Sequence, residues 1–137
     1  VPLQTEYYAM EGLAQLMNTV RLIRSSLNPN LNMEGILLTM FDSRVSLHKQ
    51  VSEEIRNHFT NEVFETVIPR NVKLSESPSF GKPVILYDIE STGSKAYLSL
   101  AKEVLLRERT RAAKEENNLP DVPRIERLDQ QLQSQLN

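Results

Sequence analysis

The 137 residues contain no cysteine, which excludes disulfides and thiolate chemistry and fits a cytoplasmic protein. The glycines are few and scattered, at positions 12, 35, 81 and 93. A phosphate-binding loop needs clustered glycines beside a Lys-Ser/Thr pair, so that backbone N–H groups can approach phosphate; no such cluster occurs. No apolar run approaches the ~20 residues of a membrane span, and the first residues lack the basic and apolar regions of a secretory signal. The chain therefore reads as soluble. Formal net charge is −2, so any nucleic-acid binding must come from a local patch. The only histidines, His48 and His58, stand ten residues apart with no carboxylate or cysteine at ligand spacing, so both are read as solvated and no metal site is expected.

What is present is enough for one domain with a core. Val1, Pro2 and Leu3 read as the end of a strand. A helix follows over residues 8–27, with Leu13, Leu16, Met17, Val20, Ile23 and Leu27 on one face, and Asn28-Pro29-Asn30 ends it. Residues 34–41, EGILLTMF, form a nearly continuous apolar run, the pattern of a strand covered on both faces. Asp42 and Ser43 offer N-cap oxygens to a helix reaching about residue 59, with Leu47, Val51, Ile55 and Phe59 as its buried face. Residues 63–68 read as a further strand, stopped by Pro69.

A polar loop then carries Arg70, Asn71 and Lys73, is broken by Pro78 and turned by Gly81, and leads to a short extended piece at 84–87. Ser91-Thr92-Gly93 marks a turn into a helix from 94 to about 117, with Tyr97, Leu100, Ala101, Val104 and Leu105 as its apolar face. Beyond Leu106 that stripe ends, and Pro120 and Pro123 stop any helix. Ile125, Leu128, Leu132 and Leu136 are spaced for a short amphipathic helix. The division expected is an α/β unit over 1–106, then a charged helix extension, proline linker and flexible tail over 107–137.

The element order is that of a mostly parallel α/β sheet with covering helices. In such sheets ligands bind where strands end, which directs attention to residues 69–83. The short sheet also leaves an unpaired edge.

Four ordered segments carry a resemblance. IPRNVKLSESPSFGKPVILYD at 68–88, VPLQTEYYAMEGLAQLMNTV at 1–20, EGILLTMFDSRVSLHKQV at 34–51 and GSKAYLSLAKEV at 93–104 together resemble the ParA/Soj-type chromosome- and plasmid-partitioning ATPases, P-loop proteins with a deviant Walker A motif. The resemblance covers roughly residues 1–105. It implies the C-terminal half of a P-loop NTPase sheet, because the family's KGGxGKT-type Walker A loop and its Walker B strand precede the matching segments. The complete protein would use ATP and Mg2+, with neither bound by this chain alone, and no catalytic residue or metal ligand is assigned here.

On the same grounds Pro69, Arg70 and Asn71 match the segment that packs near adenine. Asp42 sits where a preceding strand ends beside the base, with helix N-capping as its other reading. Arg44 and Lys73 match positions that contact DNA of any sequence, Lys73 standing where arginine is usual and so lacking the planar fork. Lys82 and Lys49 are DNA candidates by charge alone. Implied partners are non-specific DNA, a ParB-like centromere-binding protein and a second copy through ATP-dependent dimerisation, at the nucleoid in the cytoplasm.

Two other readings stand beside this one. A MinD-like membrane-associated regulator would carry a basic amphipathic C-terminal helix, but here Arg124 and Arg127 are offset by Glu126 and Asp129. A truncated, non-enzymatic interaction module would use the open sheet edge.

Overall fold

Strand β1 (Pro2–Gln4) emerges where the first residues suggest a strand end, and after helix α1 (Ala9–Ser26) the apolar run supplies β2 (Leu37–Thr39). The two pair in parallel, with Pro2 opposite Leu37 and Gln4 opposite Thr39, in a computed structural model that describes residues 1–117. Ile36 and Leu38 are fully buried and Leu37 is half-buried, as expected of a strand with cover on both sides. Among the described residues no strand pairs with the other edge of β1.

The expected strand at 63–68 is not a strand. It joins β2 and its flanks through two isolated parallel bridges, Ile36 with Val63 and Phe41 with Pro69, and through bonds such as the Ile68 N–H to the Leu38 carbonyl. Four residues separate the bridges on one side and five on the other, so the added residue buckles the segment out of the ladder. The N–H groups of Glu65 and Thr66, lost from the ladder, donate instead to the two carboxylate oxygens of Glu103, at 2.8 Å each. This meets the requirement that displaced backbone donors find another partner. Near the far end of the buckle Met40 takes a left-handed conformation, φ 54°, uncommon for a residue with a Cβ.

Helix α2 (Ser46–His58) starts at Ser46, with Val45 in the N-cap position and no side-chain cap. Asp42 does not cap it, because its carboxylate is engaged by Arg44. Val51 and Ile55 face the core as expected, but Leu47 is exposed and His48, expected in solvent, is buried at 5% exposure. The buried face runs 48, 51, 55, a spacing as helical as the series starting at 47. The core joins Ala9 and Leu13 of α1, Ile36, Leu38, Val51, Ile55 and Val63. Along α1 the expected stripe is only partly covered: Met17, Val20 and Ile23 are half-buried, whereas Leu16 and Leu27 are exposed.

The polar loop is largely helical. Helix α3 (Val72–Glu76) follows Asn71, whose side-chain oxygen accepts the Lys73 N–H at 3.0 Å, an N-cap bond. A 3-10 turn at Ser77–Phe80 carries Pro78 near its start and ends on Gly81 at φ 61°, where glycine avoids the Cβ penalty. The piece expected to be extended is helix α4 (Val84–Tyr87), begun by Pro83 at φ −64°. Pro83 holds the extended N-cap position before that turn, and the buried Ser94 hydroxyl lies within bonding reach of the Val84 and Asp88 carbonyls.

Helix α5 (Thr92–Asn117) begins two residues earlier than expected. Gly93 and Ser94 are its buried positions, and Ala96, Leu100, Glu103 and Val104 are half-buried. Tyr97, Ala101 and Leu105 of the expected face are exposed, and the helix head instead packs Gly93 closely against Leu74. The chain divides into compact units at Val1–Val104 and from Leu105 onward. In the second unit, α5 continues through exposed Leu105 and Leu106, with the Thr110 hydroxyl donating to the Leu106 carbonyl. Pro120, Pro123, Arg124, Ile125, Arg127, Leu128, Leu132 and Leu136 lie outside the described residues. Among those described, no helix is long and apolar enough to cross a membrane.

Candidate functional site

The C-terminal ends of the parallel segments meet along one edge: Thr5 and Glu6 after β1, Met40 to Asp42 after β2, and Pro69 to Asn71 after the buckled segment. The Arg70 N–H donates to the Phe41 carbonyl at 2.9 Å, which fixes the spacing between the last two. The Asp42 N–H donates to His48 Nδ1 at 2.9 Å, and His48 Nε2 lies 3.5 Å from Glu6 Oε1. A buried imidazole thus links all three: Glu6 and Asp42 directly, and Pro69 to Asn71 through Phe41.

Asp42 forms a tight local pair. Its Oδ1 accepts from the Arg44 backbone N–H at 3.0 Å and from Nε at 2.9 Å, while Oδ2 accepts from Nη2 at 2.7 Å. This two-pronged contact is the strong geometry for a guanidinium and a carboxylate. The Arg44 side-chain bond, followed by its backbone N–H, holds the Asp42 carboxyl far below the usual carboxylate range. The same bond raises the Arg44 guanidinium.

Among the residues expected near a base, Pro69 is half-buried beside Phe41 and Arg70 is exposed, its guanidinium in no ion pair among the described residues. Asn71 is committed elsewhere. Its oxygen caps α3, and its Nδ2 donates to Thr92 Oγ1 at 2.7 Å, joining the heads of α3 and α5. A base edge in this place would therefore meet backbone groups and Arg70 before the Asn71 amide.

Lys73 Nζ donates to Glu76 Oε2 at 2.9 Å and lies 5.6 Å from the centre of the Tyr87 ring. The Tyr87 hydroxyl donates to the same Glu76 oxygen at 3.0 Å, and its ring stacks on Phe80 with centroids 5.0 Å apart. The Lys73 bond, then the Tyr87 bond, lowers the Glu76 carboxyl; the bonds to Glu76 raise both Lys73 and Tyr87. Lys82 and Lys49 are exposed and have no ion pair among the described residues.

The structure thus brings Asp42 and Arg44 together, and Pro69 to Lys73 follow one another on the same edge. Lys82 stands beyond the 3-10 turn. Sequence reasoning missed His48, Glu6, Glu76 and Tyr87. His48 was findable from its spacing with Val51 and Ile55. Glu76, three residues from Lys73, becomes visible only once the stretch is known to be helical. No group of three or more metal-binding side chains occurs among the described residues. Two hollows, of about 880 and 350 Å³, are lined by none of the candidate residues.

Comparison with known proteins matches residues 3–84 to the CobQ/CobB/MinD/ParA nucleotide binding domain. Over 114 residues the chain is 58% identical to the chromosome partitioning protein ParA of Caulobacter vibrioides, covering 83% of this chain and 43% of that protein. It is 59% identical over 108 residues to the chromosome partitioning protein ParA of Myxococcus xanthus, covering 79% and 38%. It is 60% identical over 104 residues to the sporulation initiation inhibitor protein Soj of Bacillus subtilis, covering 76% and 41%. The chain spans about two fifths of the length of the curated relatives it matches.

Proposed function

The chain belongs to the CobQ/CobB/MinD/ParA nucleotide binding domain family, and from that premise we propose that it acts as the C-terminal portion of a ParA/Soj-type partitioning ATPase. In this reading it supplies base and DNA contacts to a protein that uses ATP and Mg2+, dimerises with ATP and answers to a ParB-type partner at the nucleoid. The observation that carries the proposal is the convergence of two independent facts. The family match covers Asp42, Arg44, Pro69 to Lys73 and Lys82, and all but Lys73, in helix α3, and Lys82 belong to the ends of parallel segments or the turns that follow them, where ligands of open α/β sheets bind.

The roles follow from the chemistry at each position. Pro69 offers a flat apolar contact and the exposed Arg70 a planar cation to a base, with Asp42 closing the neighbouring strand end. Arg44, Lys73 and Lys82 contact phosphate without reading sequence. The residues that act on the phosphates of ATP are not assigned to this chain, so the 137 residues alone hydrolyse no ATP in this reading.

A chimera tests the proposal. This chain replaces the corresponding C-terminal region of the Caulobacter relative, and ATP-dependent binding to mixed-sequence duplex DNA is measured. Retained ATP dependence is expected. A folded, ATP-binding chimera without ATP-dependent DNA binding would contradict the assignment.

A further inference from the structure

Both cations held closest in this site are already held by carboxylates of the same chain. Arg44 has 87% of its side chain exposed, yet its guanidinium is bound through two nitrogens to Asp42. Lys73 is bound to Glu76 while its ammonium rests over the Tyr87 ring. Most exposed ion pairs contribute little because two long side chains must be ordered to meet. These acceptors are ordered beforehand. Asp42 is fixed by its N–H on His48 and by the Arg44 backbone N–H on its own carboxylate. Glu76 is fixed by the Tyr87 hydroxyl, and Tyr87 by stacking on Phe80. Lys82, on the same stretch as Lys73, has no such acceptor among the described residues.

We propose that Asp42 and Glu76 are latches: they hold Arg44 and Lys73 off phosphate, and DNA contact proceeds by exchanging each carboxylate for a phosphate oxygen. The inference rests on the DNA-contact reading above and adds the regulation of that site. No bond is made or broken in the exchange; a cation moves from an internal anion to an external one. The latched site holds DNA less tightly than its cations alone would, and anything that draws Tyr87 or the Asp42 turn away from its place releases a cation. Lys82 serves as the unlatched contact for first encounter. The size of each latch follows from the worth of a single well-ordered exposed pair, about two- to fivefold in affinity.

The test is a double-mutant cycle carried out with ATP in the chimera described above, reading fluorescence anisotropy of a labelled mixed-sequence duplex at low salt. Glu76→Gln is expected to tighten binding by about two- to fivefold. Lys73→Ala should cost more in the Glu76→Gln background than in the unaltered chain, because only there is the ammonium free for phosphate throughout. Asp42→Asn with Arg44→Ala repeats the cycle at the other latch. Glu53→Gln removes an equal charge from an exposed position on α2 and should change affinity less than Glu76→Gln.

Additive effects of Glu76→Gln and Lys73→Ala, or equal gains from Glu53→Gln and Glu76→Gln, would reduce the carboxylates to general charge and overturn the latches. Absence of duplex binding by every form would overturn them also. If duplex binds but Lys73→Ala and Arg44→Ala are without effect in either background, the DNA-contact reading itself has failed. If they weaken binding but the carboxylate variants do not tighten it, only the latches have.

Discussion

His48 Nδ1 accepts the backbone N–H of Asp42 at 2.9 Å, so the neutral ring carries its proton on Nε2, the nitrogen facing Glu6. The bond satisfies a backbone donor at the turn that aims Arg44. His48→Leu keeps the bulk but leaves that donor without its acceptor, at a cost of about 1–3 kcal/mol. Chemical denaturation should show the midpoint falling by a corresponding amount. An unchanged midpoint would mean that the Asp42 N–H has another partner.

Gly35, just before β2, packs closely against Glu62 and Phe64. A Cβ there would stand 2.7 Å from the Phe64 ring and 2.8 Å from the Glu62 carbonyl oxygen, and the second neighbour is backbone. Gly35→Ala should therefore destabilise by about 1–3 kcal/mol, read as a lower thermal midpoint. Gly12→Ala is the control, since nothing lies within 4 Å of its added carbon, and alanine at a helical position is favourable by up to ~1 kcal/mol.

The buckle depends on Glu103. Glu103→Ala withdraws both acceptors from the Glu65 and Thr66 N–H groups. Their amide exchange should accelerate well beyond that of Phe64 and Ile68, which keep bonds to the Ile36 and Leu38 carbonyls. Equal acceleration along the whole segment would show that the carboxylate holds the sheet edge rather than the buckle.

The Lys73, Glu76 and Tyr87 cluster has a defined pH signature. Glu76 is lowered from 4.5, so its contribution to stability is present above about that pH and is lost as pH falls through the folded value. Tyr87 and Lys73 are raised from 10.0 and 10.5, so theirs are present below those values and are lost as pH rises through the folded ones. Spectrophotometric titration of tyrosinate should contain a step above the usual tyrosine range that Tyr87→Phe removes. A step at the ordinary position would contradict the bond to Glu76.

These clusters mark how far the chain was legible before folding. The apolar run at 34–41 announced β2, and spacing announced α1 and α2, since burial on one face leaves a direct mark on composition. The segment 63–68 read as a strand because its residues suit one. Its departure comes from one added residue and from a carboxylate almost forty positions later, neither of which leaves a local trace. Likewise the turn at 84–87 is held by the distant Ser94, whose hydroxyl reaches the Val84 and Asp88 carbonyls. At the candidate site, motif likeness singled out Arg44 and Lys73. Their acceptors were not, because Asp42 faces Arg44 only in a turn and Glu76 faces Lys73 only in a helix.

Arg70 separates the two proposed binding roles. On the proposed reading its exposed side chain meets the base, so Arg70→Ala should weaken nucleotide binding in the chimera first, and DNA binding only as a consequence. Excess nucleotide should then restore DNA binding. A DNA defect that nucleotide cannot restore would move Arg70 to the DNA surface.

The salt dependence of DNA binding by the chimera tests the central claim most directly. Each phosphate contact contributes about 0.9 to the slope of log affinity against log salt. Arg44→Ala and Lys73→Ala should each lower that slope by about this amount, equally on duplexes of different sequence, while ATP-dependent dimerisation persists. Lys73→Arg should bind equally or more tightly. Unchanged affinity and slope in both alanine variants would contradict the assignment of this edge to DNA.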